Sequence, residues 1–90
     1  MSSSALESIP RAVSARCTDD ELVVALLDGR VLSVPLAWFP RLAHAQPEQR
    51  AVYELLGGGD GIHWPAIDED ISVAGLLAGR PSAESRRMPA

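Results

Sequence analysis

The apolar positions near the start of the chain alternate with polar ones, which is the period of a β-strand with one buried face. Val13, Ala15 and Cys17 are separated by single polar residues. This alternation predicts a first strand over residues 12–17.

Two longer apolar runs follow, at residues 21–27 and 30–36, and Asp28-Gly29 lies between them. Asp-Gly between β-rich runs is a strong signal for a hairpin with a two-residue primed turn, in which both central residues have positive φ. The sequence therefore predicts a three-stranded antiparallel meander.

A two-residue loop fixes which side chains share a face of the meander, since successive side chains along a strand point to opposite faces. With Leu27 opposite Arg30, one face carries Val23, Ala25, Leu27, Leu32, Val34 and Leu36. The other face carries Leu22, Val24, Leu26 and Val31. Both faces are rich in aliphatic residues, whereas a sheet with one solvated face alternates more cleanly with polar residues. We expect the helices to cover the first face, which leaves the second open to another chain.

Helical segments are predicted in the middle of the chain from its prolines, because proline suits the first position of a helix. Pro40 starts a short helix that follows Trp38 and Phe39, and Pro47 starts a second helix that extends to residue 56. The glycines from Gly57 onwards stop this second helix and form a flexible connection.

A fourth strand at the sheet edge is predicted over residues 62–67, followed by a third helix. Asp70 or Ser72 caps this helix and Gly79 ends it. The acidic run that begins at Asp68 is interpreted as capping carboxylates. Because the chain is only 4% aromatic, Trp38 and Trp64 are both expected in the core.

These elements define one small domain in a chain of 90 residues that is 47% hydrophobic. We predict an α+β fold, with the three-stranded meander, a fourth edge strand and two or three short helices. The domain spans residues 10–79, between a flexible N-terminus (residues 1–9) and a flexible C-terminal tail (residues 80–90).

Charge and cysteine content narrow the classes of function. The net charge is −4 and every basic residue is arginine, which argues against a broad nucleic-acid surface, because phosphates are bound mainly by basic side chains. Cys17 is the single cysteine, so an internal disulfide and a Cys-x-x-Cys metal site are excluded. No signal peptide or long apolar run is apparent. We expect a cytoplasmic protein that has no membrane contact and no cofactor.

Several ordered motifs resemble the bacterial domain-of-unknown-function family 2442. They are Asp28-Gly29-Arg30, Val34-Pro35-Leu36, Trp38-Phe39-Pro40-Arg41-Leu42, Glu48-Gln49-Arg50, Gly61-Ile62-His63-Trp64-Pro65 and Asp68-Glu69-Asp70-Ile71-Ser72. The resemblance covers residues 10–79 and implies a small α+β domain with a β-meander.

Some relatives in that family carry a helix-turn-helix DNA-binding domain, and others are encoded beside a second small protein in a toxin–antitoxin-like arrangement. We expect no helix-turn-helix domain here, because the eleven residues after Gly79 are too few for two helices and a turn. The resemblance implies no catalytic residues.

Chemical sites receive little support from the sequence. His63 and the carboxylates of residues 68–70 are the residue types of an acid–base pair or a metal site, but capping accounts for the carboxylates. Ser72, His63 and Asp70 are the residue types of a hydrolase triad, but the nucleophile elbow Gly-x-Ser-x-Gly is missing. Cys17 is interpreted as a small buried side chain.

The leading hypothesis is a non-enzymatic protein-interaction or regulatory module, antitoxin-like or accessory to a small operon partner. It holds a partner protein or a second copy of itself, and its binding residues are Leu22, Val24, Leu26, Val31, Trp38 and Arg41. One alternative is a nucleic-acid-linked regulator that uses Arg41, Arg50, Arg80, Arg86 and Arg87. A second is an acidic phage-type inhibitor that mimics nucleic acid, and a small enzyme based on His63 has the least support.

Overall fold

The computed structural model describes residues 10–82 and has an α+β fold, as predicted. The predicted flexible N-terminus and residues 83–90 of the predicted tail lie outside the described residues. The strands are β1 (Ala12–Cys17), β2 (Glu21–Leu26), β3 (Val31–Pro35), β4 (Glu54–Leu56), β5 (Gly61–Trp64) and β6 (Glu69–Ser72). The helical segments are a 3₁₀ turn (Leu36–Trp38), α1 (Pro40–Ala43), α2 (Pro47–Arg50) and α3 (Val73–Leu77).

The first sheet has the order β1-β2-β3 and is antiparallel, which confirms the predicted meander. The loop between β2 and β3 holds three residues rather than two, because the Leu26 N–H donates to the Arg30 carbonyl at 2.8 Å. Gly29 has the predicted positive φ, 95°, but Asp28 does not. The Asp28 carboxylate accepts a hydrogen bond from the Arg30 N–H at 3.0 Å, which stabilises this turn and lowers the pKa of Asp28.

The longer loop shifts the register by one residue, so the predicted division of the sheet faces is wrong. Leu22 lies opposite Val34, and Val24 lies opposite Leu32. Leu22, Val24 and Leu26 are buried in the core of the same chain. The helices and the second sheet therefore cover the face that was expected to be open.

A β-bulge in β1 explains a second departure from the predicted alternation. The pairing with β2 shifts between Ala12 and Ser14, so Val13 is an extra residue on the bulged strand. Ala12 and Ala15 both point to the core, whereas Val13 is exposed. Simple alternation does not anticipate such an insertion.

The segment before the second sheet confirms the predicted helix starts at Pro40 and Pro47. The second helix ends at Arg50 instead of continuing to residue 56, and Glu54–Leu56 forms β4. This strand pairs with β5, where Leu55 lies opposite Ile62. Strand pairing thus overrides the helical pattern that these residues show.

The second sheet has the order β4-β5-β6, so the predicted fourth edge strand is the central strand of another sheet. The loop between β4 and β5, which was predicted to be a flexible connection, packs against the start of β1. The Gly59 carbonyl accepts a hydrogen bond from the Ala12 N–H at 2.8 Å, and Arg11 Nη1 donates to the Gly57 carbonyl at 2.6 Å. Gly59 has φ 115°, and a Cβ at this position would lie 2.5 Å from the Ala12 carbonyl oxygen. Glycine is therefore required there.

The acidic run does not cap a helix as expected, because Glu69 and Asp70 belong to β6 and Asp68 is in the preceding turn with φ 52°. Ser72 is the N-cap of α3, and its side-chain oxygen accepts a hydrogen bond from the Gly75 N–H at 3.0 Å. The helix ends at Leu77 with Ala78 as its C-cap, and the predicted stop glycine, Gly79, follows directly with φ 74°.

The core lies between the two sheets and is closed by the helices. Trp64 is fully buried, as predicted, and its Nε1–H donates to the Arg50 carbonyl at 3.1 Å. Trp38 packs against the core but is only half-buried. The buried apolar residues are Ala12, Ala15, Leu22, Val24, Leu26, Val34, Leu36, Phe39, Leu42, Ile62, Trp64, Ile71, Val73 and Leu76. No helix within residues 10–82 has the length and apolar character needed to cross a membrane.

Candidate interaction surface

One surface with exposed apolar side chains is the side of the first sheet that faces away from the core, which we call the outward face. The register assigns to it Ser14, Arg16, Val23, Ala25, Val31 and Ser33. Val31 is 61% exposed, whereas Val23 and Ala25 are half-buried by their neighbours. Val13 and Leu27 add exposed fractions of 48% and 69% near one end of the strands.

The six predicted partner-binding residues are not brought together. Leu22, Val24 and Leu26 are in the core and are not available to a partner, which corrects that part of the prediction. Val31 is on the opposite face, and Trp38 is half-buried. Arg41 is exposed, and its Nη1 donates to the Asp68 carbonyl at 3.0 Å.

A cleft of about 350 Å³ lies between β1 and α2 and adjoins the outward face. Arg16 and Arg50 both line it, as does the half-buried Cys17. Burial raises the pKa of the Cys17 thiol, and the positive charge of Arg50 opposes this effect. A raised thiol pKa disfavours the reactive thiolate. Cys17 was predicted to be a small buried side chain, and it is half-buried.

A row of three polar side chains crosses the outer surface of the second sheet. His63 lies opposite Glu54 on one neighbouring strand and opposite Asp70 on the other. His63 Nδ1–H donates a hydrogen bond to Asp70 Oδ1, which raises the pKa of His63 above its ordinary value. The charges of Asp70, Glu54 and Asp68 act in the same direction, and partial desolvation opposes them.

This row pairs the His63 imidazole with the Asp70 carboxylate. Within residues 10–82, no three His, Cys, Asp or Glu side chains are placed to hold a metal ion. Ser72 is used as the N-cap of α3. The row is accounted for as a cross-strand ion pair on a sheet surface.

The family model for proteins of unknown function designated DUF2442 matches residues 12–82. The chain belongs to the DUF2442 family. The match includes every strand and helix described for this DUF2442 member. The comparison with curated proteins found no match.

Two solved structures are similar to this DUF2442 member. One is the crystal structure of a protein of unknown function from Rhodospirillum rubrum, with a TM-score of 0.74 and 32% identity over 87% of this chain and 96% of that one. The other is the solution structure of an uncharacterized protein from Chromobacterium violaceum, with a TM-score of 0.68 and 28% identity over 81% of this chain and 69% of that one.

Sequence reasoning missed Val23 and Ala25 as surface residues and did not single out Arg16. The signal that would have found them is the length of the Asp28-Gly29 loop, since a three-residue loop with glycine at its last position exchanges the two faces of β3 relative to β2. Arg50 was identified as an available basic group, but its proximity to Arg16 is a tertiary feature.

Proposed function

We propose that this DUF2442 member is a non-enzymatic protein-interaction module that binds a partner protein through the outward face of the first sheet. A regulatory or antitoxin-like role in a small operon is consistent with such a module. The observation that supports the proposal most directly is the exposed aliphatic surface formed by Val31, Val23 and Ala25 with Val13 and Leu27.

An antiparallel sheet with one solvated face places polar side chains on that face, but here Val23 and Ala25 of β2 and Val31 of β3 lie between the polar residues Ser14 and Ser33. Contiguous apolar patches on soluble proteins commonly mark interaction sites. The β-strands also hold the patch rigidly, which lowers the entropy that binding must overcome.

A second exposed apolar strip competes for the same role. Val52, Leu55 and Leu56 lie on and just before β4. The outward face is the stronger candidate because Val23, Ala25 and Val31 come from two hydrogen-bonded strands, whereas this strip comes from one short edge strand and a residue before it.

The proposal is tested by placing a photo-crosslinking amino acid at single positions and irradiating cells of the native host. We expect a discrete adduct from position 31 and none from position 78, where Ala78 is exposed at the C-terminal end of α3. Adducts from position 56 alone would assign binding to the β4 strip. The absence of adducts from position 31 under conditions in which the chain is folded would contradict the proposal.

A further inference from the structure

We propose that the cleft between β1 and α2 binds a carboxylate of the partner, so that the partner segment on the outward face is both apolar and acidic. This inference rests on the proposed function and specifies the chemistry of the partner. It depends on three observations: two arginine side chains that share a cleft, a backbone donor on the same edge, and the continuity of the cleft with the outward face.

The first observation is the pair of guanidinium groups. Arg11 has an ion pair with Asp60 at 3.5 Å, and Arg30 has one with Asp28 at 2.9 Å. Within the described part of the chain, the side chains of Arg16 and Arg50 have neither an ion pair nor a hydrogen bond. Both line the same cleft of about 350 Å³, and guanidinium groups are well suited to hold carboxylates in two-pronged hydrogen bonds.

The second observation concerns the backbone of β1. Thr18 N–H donates to the Glu21 carbonyl at 2.8 Å, so the neighbouring Cys17–Leu22 pair does not exchange hydrogen bonds. The N–H and carbonyl of Cys17 therefore point to the outer edge of β1, towards the cleft. Further along this edge, the Ala15 N–H already donates to the Tyr53 hydroxyl at 3.1 Å.

The third observation is that the cleft is continuous with the outward face. Ala15 and Arg16 line the cleft and also the shallow depression between Val23, Ala25 and Val31. An extended segment that packs on Val23 thus brings a following side chain to Arg16. Successive side chains of such a segment would be apolar over the sheet and acidic at the cleft.

Charge around the cleft favours a short acidic segment over a nucleic acid. Asp19 also lines the cleft, and Asp20 and Glu21 follow it in the chain. Two guanidinium groups can neutralise one or two carboxylates, but a nucleic acid presents a phosphate at every nucleotide. The neighbouring acidic side chains would repel those additional phosphates.

The experiment follows backbone amides and arginine side-chain N–H signals by NMR while the labelled full chain is titrated with capped peptides. The probe is acetyl-Val-Glu-Val-Glu-amide, and its matched control is acetyl-Val-Gln-Val-Gln-amide. We expect the acidic peptide at millimolar concentration to shift the signals of Cys17, Arg16 and Arg50, with weaker binding at higher salt. The glutamine peptide should bind about tenfold more weakly, as expected for the loss of a charge-assisted hydrogen bond.

Matched variants locate the effect. Arg16→Gln and Arg50→Gln should each weaken binding of the acidic peptide about tenfold. Arg30→Gln should leave it unchanged, because Arg30 does not line the cleft and pairs with Asp28 next to the hairpin loop. Unchanged spectra elsewhere would show that each variant is folded. Equal shifts from both peptides, no shift at the cleft, or full binding by the Arg16→Gln/Arg50→Gln double variant would overturn the inference.

A separate titration with an oligothymidylate tests the alternative ligand class. If it shifts the cleft signals and displaces the acidic peptide, the cleft is a nucleic-acid site and the inference is wrong. If position 31 crosslinks to a partner but the acidic peptide does not bind at the cleft, this inference is wrong and the proposed function is not contradicted. Peptide binding at the cleft without crosslinking from position 31 would instead contradict the proposed function.

Discussion

The two sheets of this domain are stabilised in different ways. The first buries aliphatic side chains from long, paired strands, including Leu22 and Val24, which are fully buried. The second has strands of three or four residues, and its largest buried side chain is Trp64, whose ring centroid lies 6.3 Å from that of Tyr53. Short strands bury little apolar surface, so a sheet built from them depends on a few large contacts. A sheet of longer strands spreads its stabilisation over many buried side chains.

The junction between the sheets also relies on specific contacts. The loop after β4 is joined to the start of β1 by the Ala12–Gly59 and Arg11–Gly57 hydrogen bonds. The Tyr53 hydroxyl, just before β4, accepts a hydrogen bond from the Ala15 N–H on β1. We therefore expect the second sheet and the junction to be sensitive to single substitutions at a few defined positions.

The largest expected effect is that of Trp64→Ala, which removes the largest buried side chain of the second sheet. It should lower the free energy of unfolding by about 3–5 kcal/mol, the usual range for a buried aromatic side chain. Trp38→Ala is the matched control and should cost less, because Trp38 is only half-buried. Urea denaturation measures both values, and equal losses would contradict the contrast between the two tryptophans.

Gly59→Ala should have the next largest effect, because it combines an unfavourable backbone conformation with a steric overlap. The left-handed conformation alone costs about 1–2 kcal/mol for a residue with a Cβ, and that Cβ would lie 2.5 Å from the Ala12 carbonyl oxygen. Gly29→Ala provides the comparison, since Gly29 has φ 95° but a Cβ there would meet no atom of another part of the chain within 4 Å. Thermal denaturation should show the greater loss for Gly59→Ala, and the reverse order would show that the junction tolerates displacement.

Tyr53→Phe tests a single hydrogen bond across the junction. Loss of the hydroxyl leaves the Ala15 N–H without its acceptor, at a cost of about 0.5–1.5 kcal/mol. Amide exchange at Ala15 should accelerate, while exchange at Val24 in the middle of the first sheet should follow only the global change in stability. An unchanged exchange rate at Ala15 would mean that the hydroxyl is not its acceptor in solution.

The smallest expected effect is the pH dependence that arises from His63. Asp70 raises the pKa of folded His63 above 6.5, so protonated His63 stabilises the folded state. This contribution is complete below the unfolded pKa and is lost as the pH rises through the folded pKa. An NMR titration of the His63 ring should give a lower pKa in Asp70→Asn, and a smaller decrease in Glu54→Gln, which acts through charge alone. A titration unaffected by Asp70→Asn would exclude the pair.

The sequence allowed the α+β class, the bounds of β1 and the helix starts at Pro40 and Pro47 to be predicted, because alternation and proline geometry are local signals. Ser72 and Gly79 were identified as helix-capping and helix-ending residues for the same reason. The register of β3 could not be derived, since Asp28-Gly29 is compatible with loops of two or three residues. That one-residue difference decides which aliphatic residues are exposed.

The second sheet was harder to predict because its signals are tertiary. Residues 52–56 have an apolar spacing that also suits a helix, and their strand conformation depends on pairing with β5. Val23 and Ala25 of the outward face were predicted to be covered, and Val31 was predicted on the other face, because the register of β3 was wrong. The cleft depends on α2 approaching β1, and no local pattern reports the distance between Arg16 and Arg50.

The junction at Gly57 and Gly59 also has a consequence for the order in which the chain folds. Each sheet is formed from neighbouring antiparallel strands, whereas Arg11 and Gly57 are 46 residues apart in the chain. Closing such a long loop costs more entropy than forming a hairpin and gains only a few contacts at first. We expect the two meanders to form early and the junction between them to form late. Substitutions at the junction should therefore change the unfolding rate more than the folding rate.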